Sequence, residues 1–151
     1  MQNKEYWRKQ IPHPYSPNYQ DLEIYLKYKV SGKTLLLGCT HDLIEHSDFQ
    51  MDFDPWYESD TVITMDWRDN KTHFANMMGD GVLNLKKELT DDVLKMAQKH
   101  SKRLIVRSFN YKLPIMKIAD YFPNKNEFSL RPTHAIEFAE YSFYIWNFSN
   151  D

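Results

Sequence analysis

The sequence contains little cysteine and glycine and has no long apolar run. Its 151 residues include one cysteine and four glycines. A single cysteine excludes an internal disulfide and favours a reducing compartment. No apolar run approaches membrane-spanning length, and the N-terminus lacks the apolar stretch of a signal peptide. We therefore expect a soluble, cytoplasmic protein that does not associate with membranes.

An excess of basic charge is also missing. The chain has 19 Lys and Arg against 21 Asp and Glu, with a formal net charge of −2. Acids and bases are interspersed, so no basic stripe offers electrostatic support for nucleic-acid binding. We expect no nucleic-acid partner.

Aromatic residues, in contrast, are abundant, with ten Tyr, nine Phe and four Trp. The length allows one domain with a substantial core. We expect a single domain over 1–151, in which 17–151 form the folded unit. Residues 1–16 form an irregular N-terminal arm, because Pro12 and Pro14 oppose a helix there.

Short apolar runs alternate with helix signals, which is typical of the α/β class. Ser16 followed by Pro17 predicts a helix start, and this helix continues to Tyr28. Strands are predicted at 33–39, 49–52, 61–67, 74–78 and 103–109, and helices at 40–46, 90–97 and 114–121. The aromatic segment 135–148 fits one long strand, a hairpin, or a helix that runs into a strand.

Glycines or carboxylates end four of the predicted strands. Gly38 closes the first, Asp52 and Asp66 end the second and third, and residues 79–81 (Gly-Asp-Gly) follow the fourth. In an open α/β sheet, ligands bind outside the carboxyl ends of the strands. The pattern therefore predicts a nucleotide-type site along this edge of the sheet.

The order of these segments resembles the motifs of class I S-adenosylmethionine-dependent methyltransferases. The motifs, first to fourth, are similar to residues 35–43, 51–55, 65–69 and 78–84. The resemblance implies a Rossmann-like methyltransferase-type sheet, mostly parallel, with a reduced helical layer. It further implies S-adenosylmethionine as the cofactor and methyl transfer to a small or unidentified acceptor, since the chain leaves no room for a separate substrate domain.

The resemblance also implies which residues contact the cofactor. The aminoacyl end would meet Gly38, Cys39 and Thr40. The ribose hydroxyls would meet Asp52 or Asp54, and a strand-end carboxylate can accept both hydroxyl protons of such a diol. The remaining expected cofactor contacts are Asp66 and Trp67 at the adenine, and Asp80 and Gly81 toward the methyl group.

Acceptor contacts are expected from three further residues. Asn84 follows the fourth motif and would face the acceptor, while Trp7 and Tyr15 of the arm offer aromatic faces. No residue presents itself as a general base. Alignment supplies most of the rate of methyl transfer when the acceptor is already nucleophilic.

The chain departs from the usual motifs in ways that keep other functions open. Its first motif retains one glycine, and only fourteen residues lead from Gly38 to Asp52, which leaves little room for a crossover helix. The alternative is a non-catalytic methyltransferase-like domain that binds a nucleotide-like ligand or a protein partner. A third possibility is an interaction domain whose aromatic C-terminal strand pairs with another chain, for example in a homo-oligomer.

Single residues have alternative interpretations too. Residues 79–81 fit a hairpin turn, Asp66 fits a helix N-cap, and Cys39 fits either a nucleophile or a small apolar residue at a strand end. His41 and His46 stand five residues apart, which does not place them on one helical face. We therefore expect no metal site.

Overall fold

The computed structural model describes residues 16–110 and 121–148. Its helices are α1 (Tyr19–Tyr28), α2 (His41–Ile44) and α3 (Lys87–His100), and a 3₁₀ turn covers Trp67–Asp69. Its strands are β1 (Thr34–Leu37), β2 (Phe49–Asp52), β3 (Val62–Thr64), β4 (Phe74–Asp80), β5 (Ser101–Phe109), β6 (His134–Glu137) and β7 (Tyr141–Asn147). Trp7, Tyr15 and nearly all of the helix predicted at 114–121 lie outside the described residues.

These strands form one sheet in the order β3-β2-β1-β4-β5-β7-β6. Neighbours among β1 to β5 are parallel, whereas β7 runs antiparallel to both β5 and β6. β1 is buried throughout, as its unbroken apolar run predicts. The expected α/β sheet is thus observed, and the expectation that it is mostly parallel is confirmed in part, because β7 is antiparallel to both of its neighbours.

Apolar side chains fill both faces of the sheet. Leu35 and Leu37 of β1 pack on the face covered by α3, and Leu36 packs on the opposite face beside Tyr25 of α1 and Leu43 of α2. The alternation follows from the two-residue period of a strand. Residues 53–61 contain no helix and 65–73 only the 3₁₀ turn, so the expected reduction of the helical layer is observed.

Both long helices begin at other residues than predicted. Asn18 rather than Ser16 caps α1, because Asn18 Oδ1 accepts from Asp21 N at 2.9 Å and Asp21 Oδ2 accepts from Asn18 N at 3.0 Å. α3 begins at Lys87 rather than at Thr90. The Thr90 hydroxyl is buried and donates to Leu83 O at 3.2 Å, so it holds the preceding turn.

The aromatic C-terminal segment is a hairpin of β6 and β7. β7 lies between β5 and β6, and its residues 142–146 are buried. Both of its edges are therefore paired within the chain. The prediction that this strand pairs with another chain is wrong for β7.

Residues 79–81 do not form a hairpin turn. β4 and β5 are parallel, with Asp80 opposite Arg107, and α3 connects them. The hairpin interpretation is wrong because Asp80-Gly81 lies at the end of β4, where the chain leaves the sheet toward α3 and then returns as the parallel strand β5. Gly79 is required for packing, since a Cβ at that position would lie 2.7 Å from Val82 Cγ2.

Candidate functional site

The carboxyl edge of the sheet begins with the turn at Gly38. Its φ of +93° is a conformation that L side chains rarely adopt. Its N–H donates to Met51 O at 2.7 Å, which holds the turn against the end of β2. A Cβ at Gly38 would lie an ordinary 3.7 Å from Trp67 Cζ2. The backbone conformation, and not crowding, therefore selects glycine here.

Asp52, at the end of β2, is a half-buried carboxyl group. Its Oδ1 accepts from Asp54 N at 3.1 Å. Within 16–110 and 121–148, no cationic side chain pairs with it. Burial raises the pKa of Asp52, and the nearby charge of Asp54 adds to the rise. A ligand that donates hydrogen bonds to this carboxylate would stabilise its charged form, which burial disfavours.

Asp66 has a different environment, because its charge is compensated locally. It is the N-cap of the 3₁₀ turn and accepts from Arg68 N at 2.9 Å. The Arg68 guanidinium also donates to both of its oxygens, at 3.0 and 2.7 Å. These bonds lower the pKa of Asp66. The N-cap interpretation is thus observed, and adenine binding by Asp66 stays a prediction.

Two indole N–H groups hold carbonyl oxygens at this edge. Trp67 Nε1 donates to Met51 O at 2.6 Å, and Trp56 Nε1 donates to Cys39 O at 2.7 Å. The Trp56 ring also lies 4.1 Å from the His41 ring, centroid to centroid. Trp56 thereby holds the turn after β1 and Trp67 holds the adjacent end of β2, in a region without a full crossover helix.

Cys39 and Thr40 continue the turn into α2. Cys39 is buried, and burial raises the pKa of its thiol to about 12, which fits the small apolar residue and opposes the nucleophile. Thr40 is in the N-cap position of α2, but its side chain makes no capping bond to the described residues. The carboxylate of Asp54 is on the exposed side of the same edge.

At the end of β4, Asp80 belongs to a buried ion cluster. Arg107 donates to both Asp80 oxygens, at 2.7 and 2.8 Å, and also to Asp21 Oδ2 at 3.0 Å. The Tyr141 hydroxyl donates to Asp21 Oδ1 at 2.8 Å. Burial raises the pKa of Asp80, and the adjacent guanidinium opposes this rise. The Asp80 carboxylate is therefore paired and immobilised rather than free.

Gly81 and Asn84 shape the connection that leaves β4. Gly81 has a φ of +74°, and its N–H donates to Arg107 O at 2.8 Å. Asn84 is fully buried, accepts from Phe109 N at 3.0 Å, and donates to Phe109 O at 3.0 Å and Tyr121 O at 3.2 Å. These contacts give Asn84 a structural role instead of the acceptor contact that we expected from sequence.

Two residues that sequence reasoning missed lie beside Asp52. Phe53 and Met65 are large apolar side chains, yet they are 53% and 37% exposed. Met65 N donates to Asp52 O at 3.0 Å, so the two residues follow adjacent strand ends. The signal available in the sequence was a large apolar residue immediately after a strand-end position, where solvent would favour a polar one.

The described residues hold no group of three or more His, Cys, Asp or Glu arranged to bind a metal. His46 Nε2 lies 3.5 Å from Glu45 Oε1, while the His41 ring contacts the Trp56 ring at an interplanar angle of 50°. Among the helices of the described segments, none is long and apolar enough to cross a membrane.

Sequence comparison identifies no relative of this chain. No protein-family profile matches it, and no curated protein is similar to it in sequence. Its fold, however, is similar to those of solved structures. TehB from Haemophilus influenzae superposes with a TM-score of 0.59 at 11% identity, covering 95% of this chain and 66% of the other.

Two further solved structures share the architecture. Magnesium protoporphyrin IX methyltransferase from Synechocystis PCC 6803, with bound S-adenosylmethionine, has a TM-score of 0.56 at 11% identity and covers 82% and 73% of the two chains. A putative RNA methyltransferase from Pyrococcus horikoshii has a TM-score of 0.54 at 12% identity and covers 86% and 80%. Similarity at these identities shows the fold alone.

Proposed function

We propose that this chain, which has the class I methyltransferase fold, binds S-adenosylmethionine and transfers its methyl group to a small acceptor. The observation that carries the proposal is the contact between the Gly38 turn and the end of β2, where Asp52 stands without a cationic partner among the described residues. A glycine turn beside a strand-end carboxylate suits a ribose with its two hydroxyl donors. The Synechocystis enzyme has been solved with S-adenosylmethionine and with S-adenosylhomocysteine bound.

The residues at this edge fit an adenosine group. Asp52 would accept from the ribose hydroxyls, and Asp54 is close enough in sequence to substitute for it. Phe53 and Met65 present exposed apolar surface next to Asp52, which suits the faces of a purine ring. Gly38, Cys39 and Thr40 would border the aminoacyl end through their backbone.

The bound cofactor would supply an electrophilic methyl group. The chain's own contribution would be to bind and orient the cofactor and the acceptor and to exclude water, because two of the acids at this edge are paired with arginines. Asp80 is held by Arg107 and Asp66 by Arg68, so neither is placed as a free base. We therefore infer an acceptor whose reacting atom is already nucleophilic, in line with catalysis by alignment.

The proposal is tested by titration calorimetry with S-adenosylmethionine and S-adenosylhomocysteine. Asp52→Asn keeps the size of the side chain and removes the acceptor charge. We expect it to weaken both ligands roughly 10- to 100-fold, the scale of a lost charge-assisted hydrogen-bond pair.

Asp66→Asn is the matched control, since it removes the same charge from the next strand end. Because the carboxylate of Asp66 is already engaged by Arg68, we expect less than about a fivefold loss of affinity. Wild-type protein that binds neither ligand at millimolar concentration would end the proposal. Equal losses in the two variants would reject the special position of Asp52.

A non-catalytic domain that binds a nucleotide-like ligand or a protein partner is the second candidate. It is favoured by the same pairing of Asp66 and Asp80 with arginines, which leaves neither of them placed as a free base, and by the short connections. Binding of S-adenosylhomocysteine without turnover of any amine, hydroxyl or thiol acceptor would support it. Self-association remains a separate prediction, which sedimentation of the whole chain would test.

A further inference from the structure

We propose that Asp21 of α1 is a positioning residue for the methyl-facing end of the site. Together with Arg107 it holds Asp80 at the end of β4 and leaves the cluster with an excess negative charge that favours the cationic sulfonium of the cofactor. This inference rests on the proposed function, because it assigns a ligand charge to that same site.

The first support is geometric. Arg107 bridges the two carboxylates, and the three side chains are 3%, 1% and 9% exposed for Arg107, Asp21 and Asp80. Asp80 is therefore the member of the trio nearest to solvent, and it stands at the carboxyl edge of the sheet. The Arg107 guanidinium also lies 5.0 Å from the Phe109 ring and 4.9 Å from the Tyr141 ring, which restricts its movement.

The second support is that α1 also fixes the backbone of the same strand end. The Tyr25 hydroxyl donates to Gly79 O at 2.7 Å, and Gly81 N donates to Arg107 O at 2.8 Å. Residues on both sides of Asp80 are thus immobilised by α1 and β5. Preorganised polar groups of this kind act on a ligand without rearranging when it binds.

The third support concerns charge. Two carboxylates share one guanidinium, so the formal charge of the trio is −1 when both carboxylates are ionised, and the charge of Asp42 of α2 acts on Asp80 as well. A buried ion cluster contributes little to stability compared with apolar side chains of similar size. Stability alone therefore gives little reason for the cluster, and its position at the edge of the sheet suits an electrostatic role there.

The experiment compares two ligands that differ in charge at sulfur. S-adenosylmethionine carries a cationic sulfonium, and S-adenosylhomocysteine carries a neutral thioether. Asp21→Asn retains the size of the side chain but brings the trio to zero net charge. We expect it to weaken S-adenosylmethionine about three- to tenfold relative to S-adenosylhomocysteine, the scale of one removed charge at a partly screened distance.

Glu23→Gln is the matched control, because it removes one carboxylate from the exposed face of the same helix. We expect its ratio of the two dissociation constants to stay within about twofold of wild type. S-adenosylhomocysteine binding serves as the internal check of folding. Asp80→Asn, which removes the carboxylate nearest the edge, should shift the ratio in the same direction even if Asp21→Asn does not fold.

The outcomes separate the two proposals. Wild-type protein that binds neither ligand overturns the proposed function and this inference with it. If the wild-type protein binds both ligands and Asp21→Asn leaves the ratio of the two dissociation constants unchanged, only the role of the cluster is overturned. If Asp21→Asn does not fold, an unchanged ratio in Asp80→Asn has the same meaning. A purely structural role of Asp21 would weaken both ligands equally and would also overturn the inference.

Discussion

The indole Nε1 of Trp67 donates a 2.6 Å hydrogen bond to the carbonyl oxygen of Met51. The same oxygen accepts from Gly38 N at 2.7 Å. One carbonyl group at the end of β2 therefore joins the turn after β1 to the turn after β3. This shared acceptor holds the edge together where the connecting segments are too short for full helices.

Replacement of Trp67 by Phe removes the indole donor and keeps an aromatic ring. Because Met51 O still accepts from Gly38 N, no buried carbonyl is left unpaired. We expect a loss of about 1 kcal/mol in the free energy of unfolding, against about 3 kcal/mol for Trp67→Ala, which also creates a cavity. Urea denaturation followed by circular dichroism measures both values. Equal losses in the two variants would show that the indole hydrogen bond alone matters, and no loss in Trp67→Phe would show that ring packing alone matters.

Arg107→Met should destabilise the protein by about 3–5 kcal/mol, because two buried carboxylates lose their common partner. Burial already raises the pKa of Asp80, and the guanidinium that opposes the rise would be absent. In the folded variant, Asp80 would then bind a proton more tightly than it does in the unfolded chain. Its deficit in stability should be smallest below about pH 4 and should grow as the pH rises through the folded pKa.

Urea denaturation of the Arg107 variant at acidic and neutral pH measures this dependence. Arg68→Met is the matched control, since Arg68 pairs with Asp66 on the surface. Because this pair is exposed to solvent, its loss should change stability far less than the loss of Arg107. A deficit of the Arg107 variant that does not change with pH would contradict the electrostatic explanation.

Asn84→Ala should lower stability by about 2–3 kcal/mol, because backbone groups of Phe109 and Tyr121 lose a buried partner. Thermal unfolding measures the loss, and Asn126→Ala on the exposed surface should stay within about 0.5 kcal/mol of wild type. If Asn84→Ala instead abolished ligand binding and left stability unchanged, the acceptor contact predicted from sequence would be restored.

The Cys39 thiol should be inert in the folded protein. With a pKa of about 12, only roughly one thiol in ten thousand is ionised at pH 8. A chromogenic disulfide reagent should therefore label the native protein slowly, and the labelling rate should follow the unfolding transition when urea is added. Rapid labelling without denaturant would revive the interpretation of Cys39 as a nucleophile.

Local sequence patterns predicted most strands and helices, because the formation of each depends largely on residues that are close in sequence. The apolar run at 35–37 is a buried central strand, and the aromatic run at 141–148 contains the buried β7. Helix starts were predicted less well. Ser16-Pro17 is a plausible cap, but the reciprocal bonds of Asn18 and Asp21 begin α1 two residues later.

The ends of β2 and β5 were also predicted from local sequence, whereas β3 ends at Thr64, two residues before Asp66. Strand neighbours were not predicted. Gly38 and Gly81, two of only four glycines in the chain, adopt positive φ values at the turns that follow β1 and β4. The antiparallel position of β7 between β5 and β6 depends on pairings across many residues. Such pairings leave no signature in a short window.

The sequence by itself determined that acids and glycines stand at the ends of successive strands, since a strand end is a local property. Only the tertiary structure decided what each acid can do. Asp66 pairs with an arginine two residues away, but Asp80 and Asp21 meet Arg107 over separations of 27 and 86 residues. The chemistry of a carboxylate depends on the charges and the burial that the fold brings to it, and for this reason Asp52 alone of the three strand-end acids remains without a cationic partner in the described chain.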